Sequence, residues 1–153
     1  MSSVPTRMAG VAAVFFTLAG VAWAGDPDPG VARATSFGGS CQGCSLSGRK
    51  LTGASFSGGD FSRAMLIGTD LRDVNAYGGV FSSSVFSGAN LTHATFVGAY
   101  LQGASFQGAN LEGTNFSGAE MSRARGLSQH QLDQACGDEA TTLPRGLHIP
   151  RCR

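Results

Sequence analysis

Residues 86–126 read FSGAN-LTHAT-FVGAY-LQGAS-FQGAN-LEGTN-FSGAE-MSRAR-G, a run of five-residue units that each begin with a large apolar side chain. The same count extends towards the N-terminus as far as Leu46, and all seven Phe and all seven Leu between Cys41 and Gly126 fall on its one phase. Ala76 and Met121 occupy the two remaining slots, which makes 16 consecutive units. The predicted core ladder is Leu46, Leu51, Phe56, Phe61, Leu66, Leu71, Ala76, Phe81, Phe86, Leu91, Phe96, Leu101, Phe106, Leu111, Phe116 and Met121.

A period of five fits neither a helix, which repeats every 3.6 residues, nor a flat strand, which repeats every two. It fits a chain that runs along a short extended side, turns a corner and repeats, so that every fifth side chain points to one axis. The residue two positions before each large one shares that axis and is nearly always small, with Arg49 as the exception at the start of the coil. The interior is therefore predicted to alternate large and small side chains, which fills a narrow tube without voids.

The corners of this coil are marked by glycine. Gly stands two residues after most of the large side chains, which indicates a left-handed φ at the third residue of a type II turn. The positions without Gly recur only at every second corner, and they are Arg63, Asp73, Ser83, His93 and Arg123. An even number of sides follows, and four sides of one unit each predict a coil that stacks Leu71 on Leu51 and Leu91 on Leu71.

Units such as Gly-Ala-Asn-Leu at 88–91 and Gly-Ala-Ser-Phe at 53–56 resemble those of pentapeptide repeat proteins. The resemblance covers about residues 41–126. It implies an all-β solenoid, a right-handed quadrilateral β-helix, here with about four coils of four units each. It implies almost nothing about function, because the family is defined by its core pattern.

Residues 1–24 have the features of a secretory signal peptide. Arg7 precedes the uncharged apolar run from Met8 to Val21, and Ala22-Trp23-Ala24 fits the small-x-small cleavage pattern, which predicts cleavage between Ala24 and Gly25. An uncleaved N-terminal anchor is the alternative. Residues 25–40, with two Asp-Pro steps and several Gly, are predicted to form a flexible leader. We expect a periplasmic or secreted protein with no membrane span in the mature chain.

The four cysteines fall in two pairs at the two ends of the repeat. Export favours disulfides, and about four coils separate the pairs, so we predict Cys41–Cys44 and Cys136–Cys152. A reduced thiol pair and a redox or zinc site are alternatives for Cys41 and Cys44. Residues 127–153 are predicted to form a cap, with a helix from Gln129 to Cys136 that starts at a Ser128/Gln131 capping box and ends at Gly137.

Groups that could perform chemistry are sparse in the predicted rod. Lys50 and Asp70 are expected to stack one coil apart and pair, as are Asp73 and His93. A catalytic role for Asp73 and His93 would need a nucleophile and a pocket, and a convex rod offers no cleft there. No spacing typical of a metal site or a phosphate loop occurs, so we expect no catalytic residue, no metal and no cofactor.

The exposed apolar residues suggest one contact surface. Tyr77 and Val97 are predicted to stack on one side of a corner, with Val80 and Tyr100 across it, while Met65, Ile67 and Val85 form a second set on the next side but one. The Tyr77 set could serve a protein partner or self-association, or be scattered surface residues without a role.

The leading functional interpretation is an exported, non-enzymatic scaffold or protein-binding module. The alternative, which the family resemblance implies, is a regulator that binds a topoisomerase by resembling duplex DNA. It needs a long acidic rod, whereas this chain has 11 basic and 10 acidic residues and a net charge of +1, which also argues against a nucleic-acid binder.

Overall fold

A computed structural model describes residues 41–153 of the chain. The predicted signal peptide 1–24, its cleavage between Ala24 and Gly25, and the leader 25–40 lie outside these residues.

The described chain winds as a coil in which every fifth residue forms a parallel bridge with the residue 20 positions later, from Ser45–Met65 to Ser105–Arg125. Four such bridges complete one turn, so the coil has four sides, each built of single bridges rather than longer strands. Side 1 contains Ser45, Met65, Val85, Ser105 and Arg125, side 2 contains Lys50, Asp70, Asn90 and Asn110, side 3 contains Ser55, Asn75, Thr95 and Asn115, and side 4 contains Asp60, Val80, Tyr100 and Glu120. The four-unit layer predicted from the repeat is confirmed.

The interior of the coil is filled by the predicted ladder. All sixteen residues from Leu46 to Met121 are buried, with at most 2% of any side chain exposed. The phenylalanines stack between layers, as in Phe86 and Phe106, whose rings are nearly parallel with centroids 5.1 Å apart. Three small inward positions are polar, and each hydroxyl donates to a carbonyl of the layer below: Thr69 to Leu46, Ser84 to Phe61 and Thr114 to Leu91. These bonds satisfy polar groups that no water reaches.

Each corner is a tight turn closed by a bond such as that from the Ala54 N–H to the Leu51 carbonyl, 3.0 Å. Its third residue is left-handed, as the glycines predict, with φ of 73° at Gly53. Arg63, Asp73, Ser83 and His93 adopt the same conformation, with φ from 59° to 62°. Stacking on the neighbouring corners therefore imposes one turn shape even where a side chain makes it costly. Arg123, in the last layer, does not adopt it.

The cap begins with a short helix, α1, at Gln129–Asp133. The predicted capping box is confirmed, because Ser128 and Gln131 bond each other's backbone N–H groups. The predicted helix end at Cys136 is wrong. The chain leaves the helix after Asp133 because Cys136 pairs with Asn115 on side 3, and Thr142 then pairs with Glu120 on side 4.

The cap thus covers the last layer by continuing the ladder on two sides. On the remaining sides Gln131 donates to the carbonyls of Phe106 and Ala109, both at 2.9 Å. Leu132 is buried, and Leu127, Leu143 and Ile149 pack against the core. This arrangement protects the sheet edges that an open coil end would expose.

Candidate functional site

Side 4 and its preceding corner bring the predicted Tyr77 set together. Val80 and Tyr100 form a bridge on side 4, and the N–H of Gly78 donates to the Val97 carbonyl, which places Tyr77 below Val97 at the corner. Tyr77 and Tyr100 are 59% and 52% exposed, whereas the two valines are half-buried. We call these four residues the Tyr–Val patch. Each tyrosine neighbours a valine, so the patch offers two exposed aromatic rings beside two half-buried valines.

A carboxylate stands at each end of the patch. Asp60 precedes Val80 on side 4 and Glu120 follows Tyr100, three layers away and so about 14 Å along the rod. Hydrogen bonds from the Ser62 hydroxyl and N–H and from Gln42 lower the pKa of Asp60. Bonds from the Ser122 hydroxyl and N–H, and from Thr142, lower the pKa of Glu120. Both groups are therefore negatively charged at neutral pH.

These carboxylates belong to a feature that the sequence reasoning did not single out. Asp60-Phe61-Ser62-Arg63-Ala64 and Glu120-Met121-Ser122-Arg123-Ala124 are the same motif, acid-x-Ser-Arg-Ala, placed three layers apart. Side 4 and the corner after it hold no charged residue in the layers between. Comparing units three layers apart in the sequence would have revealed the motif.

The second apolar set lies next to the patch. Met65 and Val85 are on side 1, which adjoins side 4 and is the next side but one after the corner of Tyr77 and Val97. Met65 and Ile67 are 43% and 42% exposed. Side 1, unlike side 4, carries no carboxylate, and its last residue is Arg125.

The predicted ion pairs have separate outcomes. Lys50 and Asp70 stack as a bridge, but they do not pair, because Arg72 binds both carboxylate oxygens of Asp70 at 2.7 and 2.8 Å. That bond is the main cause of the lowered pKa of Asp70. Asp73 and His93 approach to 4.0 Å with both side chains exposed. No nucleophile bonds to this His93 in the described residues, so the corner is a solvated pair.

Pentapeptide repeats match the chain in eight copies, over residues 40–75 and 84–123. The chain belongs to the pentapeptide repeat family. Membership of this family implies a right-handed quadrilateral β-helix, in keeping with the four sides described above.

Solved pentapeptide repeat structures resemble the chain at low identity. One from the Arabidopsis thaliana thylakoid lumen is 25% identical, covering 71% of this chain and 79% of its own, with a TM-score of 0.41. Rfr23 from the cyanobacterium Cyanothece 51142 is 23% identical, covering 68% and 90%, with a TM-score of 0.34. QnrB1, a plasmid-mediated fluoroquinolone resistance protein, is 20% identical, covering 74% and 80%, with a TM-score of 0.31. No curated protein matches the chain.

Disulfides tie both ends of this pentapeptide repeat rod. The structure joins Cys41 to Cys44 and Cys136 to Cys152, with Cα atoms 5.5 and 4.8 Å apart, and these are the pairs that the sequence predicts. Cys41 and Cys44 are half-buried against the core at the first layer. The second bond fixes the C-terminal tail on the cap, where Cys152 contacts Asn115 and Ser117.

An open cleft of about 530 Å³ lies beside this tail, lined by Ser117, Asp138, Glu139, Arg151 and Cys152 among others. Its charged groups already serve the cap, since Asp138 accepts the Gly118 N–H at 2.8 Å and Arg151 pairs with Glu139. Residues 41–153 contain no cluster of side chains suited to a metal ion. Within the same residues no helix is long and apolar enough to span a membrane.

Proposed function

We propose that this chain is an exported, non-enzymatic pentapeptide repeat scaffold that binds a protein partner through the Tyr–Val patch. The observation that supports it most is the patch itself, in which Tyr77 and Tyr100 are more than half exposed between the carboxylates of Asp60 and Glu120. Exposed aromatic side chains with a charged border are typical of protein contact surfaces. The rigid coil behind the patch fixes the backbone of these residues before binding, so binding would cost little conformational entropy.

Two features support export to the periplasm or the cell exterior. The first 24 residues follow the order of a signal peptide, with cleavage proposed between Ala24 and Gly25. All four cysteines lie after that point and form the two disulfides, which persist in an oxidising compartment.

A binding role without catalysis fits the arrangement of polar groups. The carboxylates of Asp60, Asp70 and Glu120 are engaged by neighbouring donors that stabilise their charged form, which makes them poor general bases. The charge balance offers no support for DNA mimicry by a topoisomerase regulator, because residues 41–126 contain five acidic and six basic residues.

The test of the patch is site-specific photo-crosslinking in cells that secrete the native chain. A photoreactive phenylalanine at Tyr77 should give a defined adduct, and the same group at Gln107, exposed on a different corner, should not. In pull-down of that partner by the affinity-tagged chain without the photoreactive group, Tyr77→Ser/Tyr100→Ser should abolish capture. Met65→Ser/Ile67→Ser removes two comparable exposed apolar side chains and should leave capture intact. Equal capture by all variants would refute the patch, and an intact signal peptide on the mature chain in cell fractions would refute export.

A further inference from the structure

Two adjacent columns of residues run along the edge between side 4 and side 1. The side-4 column is Asp60, Val80, Tyr100 and Glu120, joined by successive bridges. The corner column is Arg63, Ser83, Gly103 and Arg123, three residues later in each layer. The N–H of Arg63 donates to Ser82 and that of Ser83 to Gln102, which stacks the lower corners, and Gly103 lies over Ser83 closely enough that a Cβ would be 3.2 Å from its hydroxyl.

The two columns are complementary in charge and in size. From one end to the other, the side-4 column is acidic, apolar, aromatic and acidic, whereas the corner column is basic, small, glycine and basic. In both columns the charged members are three layers apart, so the acidic groups and the basic groups share one spacing of about 14 Å. Among residues 41–153 neither Arg63 nor Arg123 forms a salt bridge, although Arg63 is near enough to Asp60 of its own chain that its charge helps to lower the pKa of Asp60.

From this complementarity we propose that a second copy of the chain occupies the surface, in a side-by-side dimer with the two rods parallel. The two-fold axis runs along the rods, between the two columns. Asp60 then faces Arg63 of the second copy and Glu120 faces Arg123, and each contact is made twice. Tyr100 lies against the Gly103 corner of the second copy, where glycine has no side chain of its own and the Arg125 guanidinium donates to its carbonyl at 3.4 Å. Val80 lies against Ser83. The inference rests on the proposed function, because it names a second copy as the partner of Val80 and Tyr100, the side-4 part of the Tyr–Val patch. Tyr77 and Val97, at the corner before side 4, lie outside this contact.

The charges select this arrangement over others on the same surface. If the rods were antiparallel, the two-fold axis would place Asp60 opposite Glu120 and Arg63 opposite Arg123, which are like charges. If the axis ran over the side-4 column itself, Asp60 would face Asp60. The parallel dimer uses one patch on both copies and closes on itself, so it forms no fibre.

The test is the oligomeric state of the mature chain, measured by sedimentation velocity. The native chain is expected to be a dimer that weakens with added salt, because its ion pairs are exposed and screened. Arg63→Glu/Arg123→Glu should raise the dimer dissociation constant by roughly tenfold or more, since four attractive contacts become repulsive. Arg145→Glu/Arg153→Glu makes the same change of charge on the exposed tail and should leave the dimer intact.

Mixing two complementary variants tests the geometry itself. Asp60→Lys/Glu120→Lys alone should have a similarly raised dimer dissociation constant, but when it is mixed with Arg63→Glu/Arg123→Glu every contact becomes attractive again. A heterodimer of the two, identified by native mass spectrometry, supports the parallel arrangement, and its absence with both variants folded overturns it. If the lysine variant does not fold, Asp60→Asn/Glu120→Gln keeps the acceptors for Ser62 and Ser122 and should still weaken the dimer of the native chain.

A native chain that stays monomeric up to its solubility limit overturns the inference, as does a dimer that ignores the arginine reversals. Neither result touches the proposed function, which is tested separately by crosslinking at Tyr77, by the capture variants and by the state of the signal peptide. An adduct of Tyr77 with a different protein and a monomeric chain would leave the proposed function standing and the dimer refuted.

Discussion

The hydroxyl of Thr114 donates a 2.8 Å hydrogen bond to the carbonyl oxygen of Leu91, inside the rod and one layer below. Both residues are fully buried, and the same carbonyl also accepts the N–H of Ala94 at 2.9 Å. The bond therefore joins two successive layers from within, in addition to the ladder that joins them along the four sides.

We expect Thr114→Val to lower the free energy of unfolding by about 1 kcal/mol, the net contribution of one hydrogen bond. Valine keeps the volume of threonine, and the Leu91 carbonyl retains Ala94 as a donor, so the loss should not be larger. Urea unfolding measures the change. An unchanged midpoint would mean that the inner bond adds nothing to the ladder.

Leu91 tests the register of the core. Leu91→Asp would place an unpaired carboxylate on the axis, where no solvent reaches it, and we expect the variant to lose its cooperative thermal transition. Gln102→Asp adds the same group at an exposed position and should melt close to the native temperature. A cooperative transition at the native temperature for Leu91→Asp would contradict the inward placement of this phase.

The corner at Ser83 offers a gain in stability. Ser83 has φ of 61°, a conformation that costs an L-residue about 1 kcal/mol and costs glycine almost nothing. Ser83→Gly should therefore raise the free energy of unfolding by up to about 1 kcal/mol. Ser82→Gly, at the preceding residue outside the left-handed region, should lower it, because glycine there only adds disorder to the unfolded chain. Calorimetry of the pair separates a turn effect from a general effect of glycine.

The sequence predicts those features of the fold that the five-residue repeat determines, and it does not predict those that arise from pairing between particular residues. The phase of Phe and Leu decides which side chains face the axis, and the alternation at every second corner leads to four sides and a layer of four units. The repeat carries no information about where the helix in the cap ends, because the chain leaves the helix after Asp133 and Cys136 pairs with Asn115 in the layer below. The partner of Asp70 does not follow from stacking for a related reason: stacking favours Lys50, but the guanidinium of Arg72, two residues along, binds both carboxylate oxygens.

The candidate site divides in the same way. Tyr77, Val80, Val97 and Tyr100 follow from counting in whole layers, so the sequence predicts their proximity. Their exposed fractions do not follow from the repeat. The two valines are half-buried, whereas both tyrosine rings are more than half exposed to solvent. The pair of carboxylates at the ends of the patch, Asp60 and Glu120, is found only when units three layers apart in the sequence are compared.

Acid should destabilise the rod through its carboxylates. Hydrogen bonds to Ser62 lower the pKa of Asp60, those to Ser122 that of Glu120, and Arg72 that of Asp70. A carboxyl group with a pKa lower in the folded than in the unfolded chain stabilises the fold above the unfolded value, and this stability is lost as pH falls through the folded value. The melting temperature should therefore be constant from neutral pH down to about 5 and fall below about 4.

Asp60→Asn isolates one part of this effect. Asn75, Asn90 and Asn110 accept the N–H two residues along, as Asp60 does, so asparagine can keep the turn without a charge. The variant should melt with a shallower dependence on pH below about 4 than the native chain. An identical dependence would show that Asp60 has the same pKa in the folded and unfolded chains.

The two disulfides should differ in what they contribute. Cys136–Cys152 has a sequence separation of 16 and Cys41–Cys44 one of 3, so loop entropy predicts losses of about 3 and about 2 kcal/mol when each pair is replaced by serine. The larger loss should come with local opening, because the tail held by Cys152 lies over the segment in which Thr141 donates to the Phe116 carbonyl and Thr142 pairs with Glu120. Hydrogen exchange should therefore accelerate at Cys136 and Thr142 in Cys136→Ser/Cys152→Ser and remain slow there in Cys41→Ser/Cys44→Ser. Equal protection of the cap in both variants would mean that the ladder and Gln131 hold it without the disulfide.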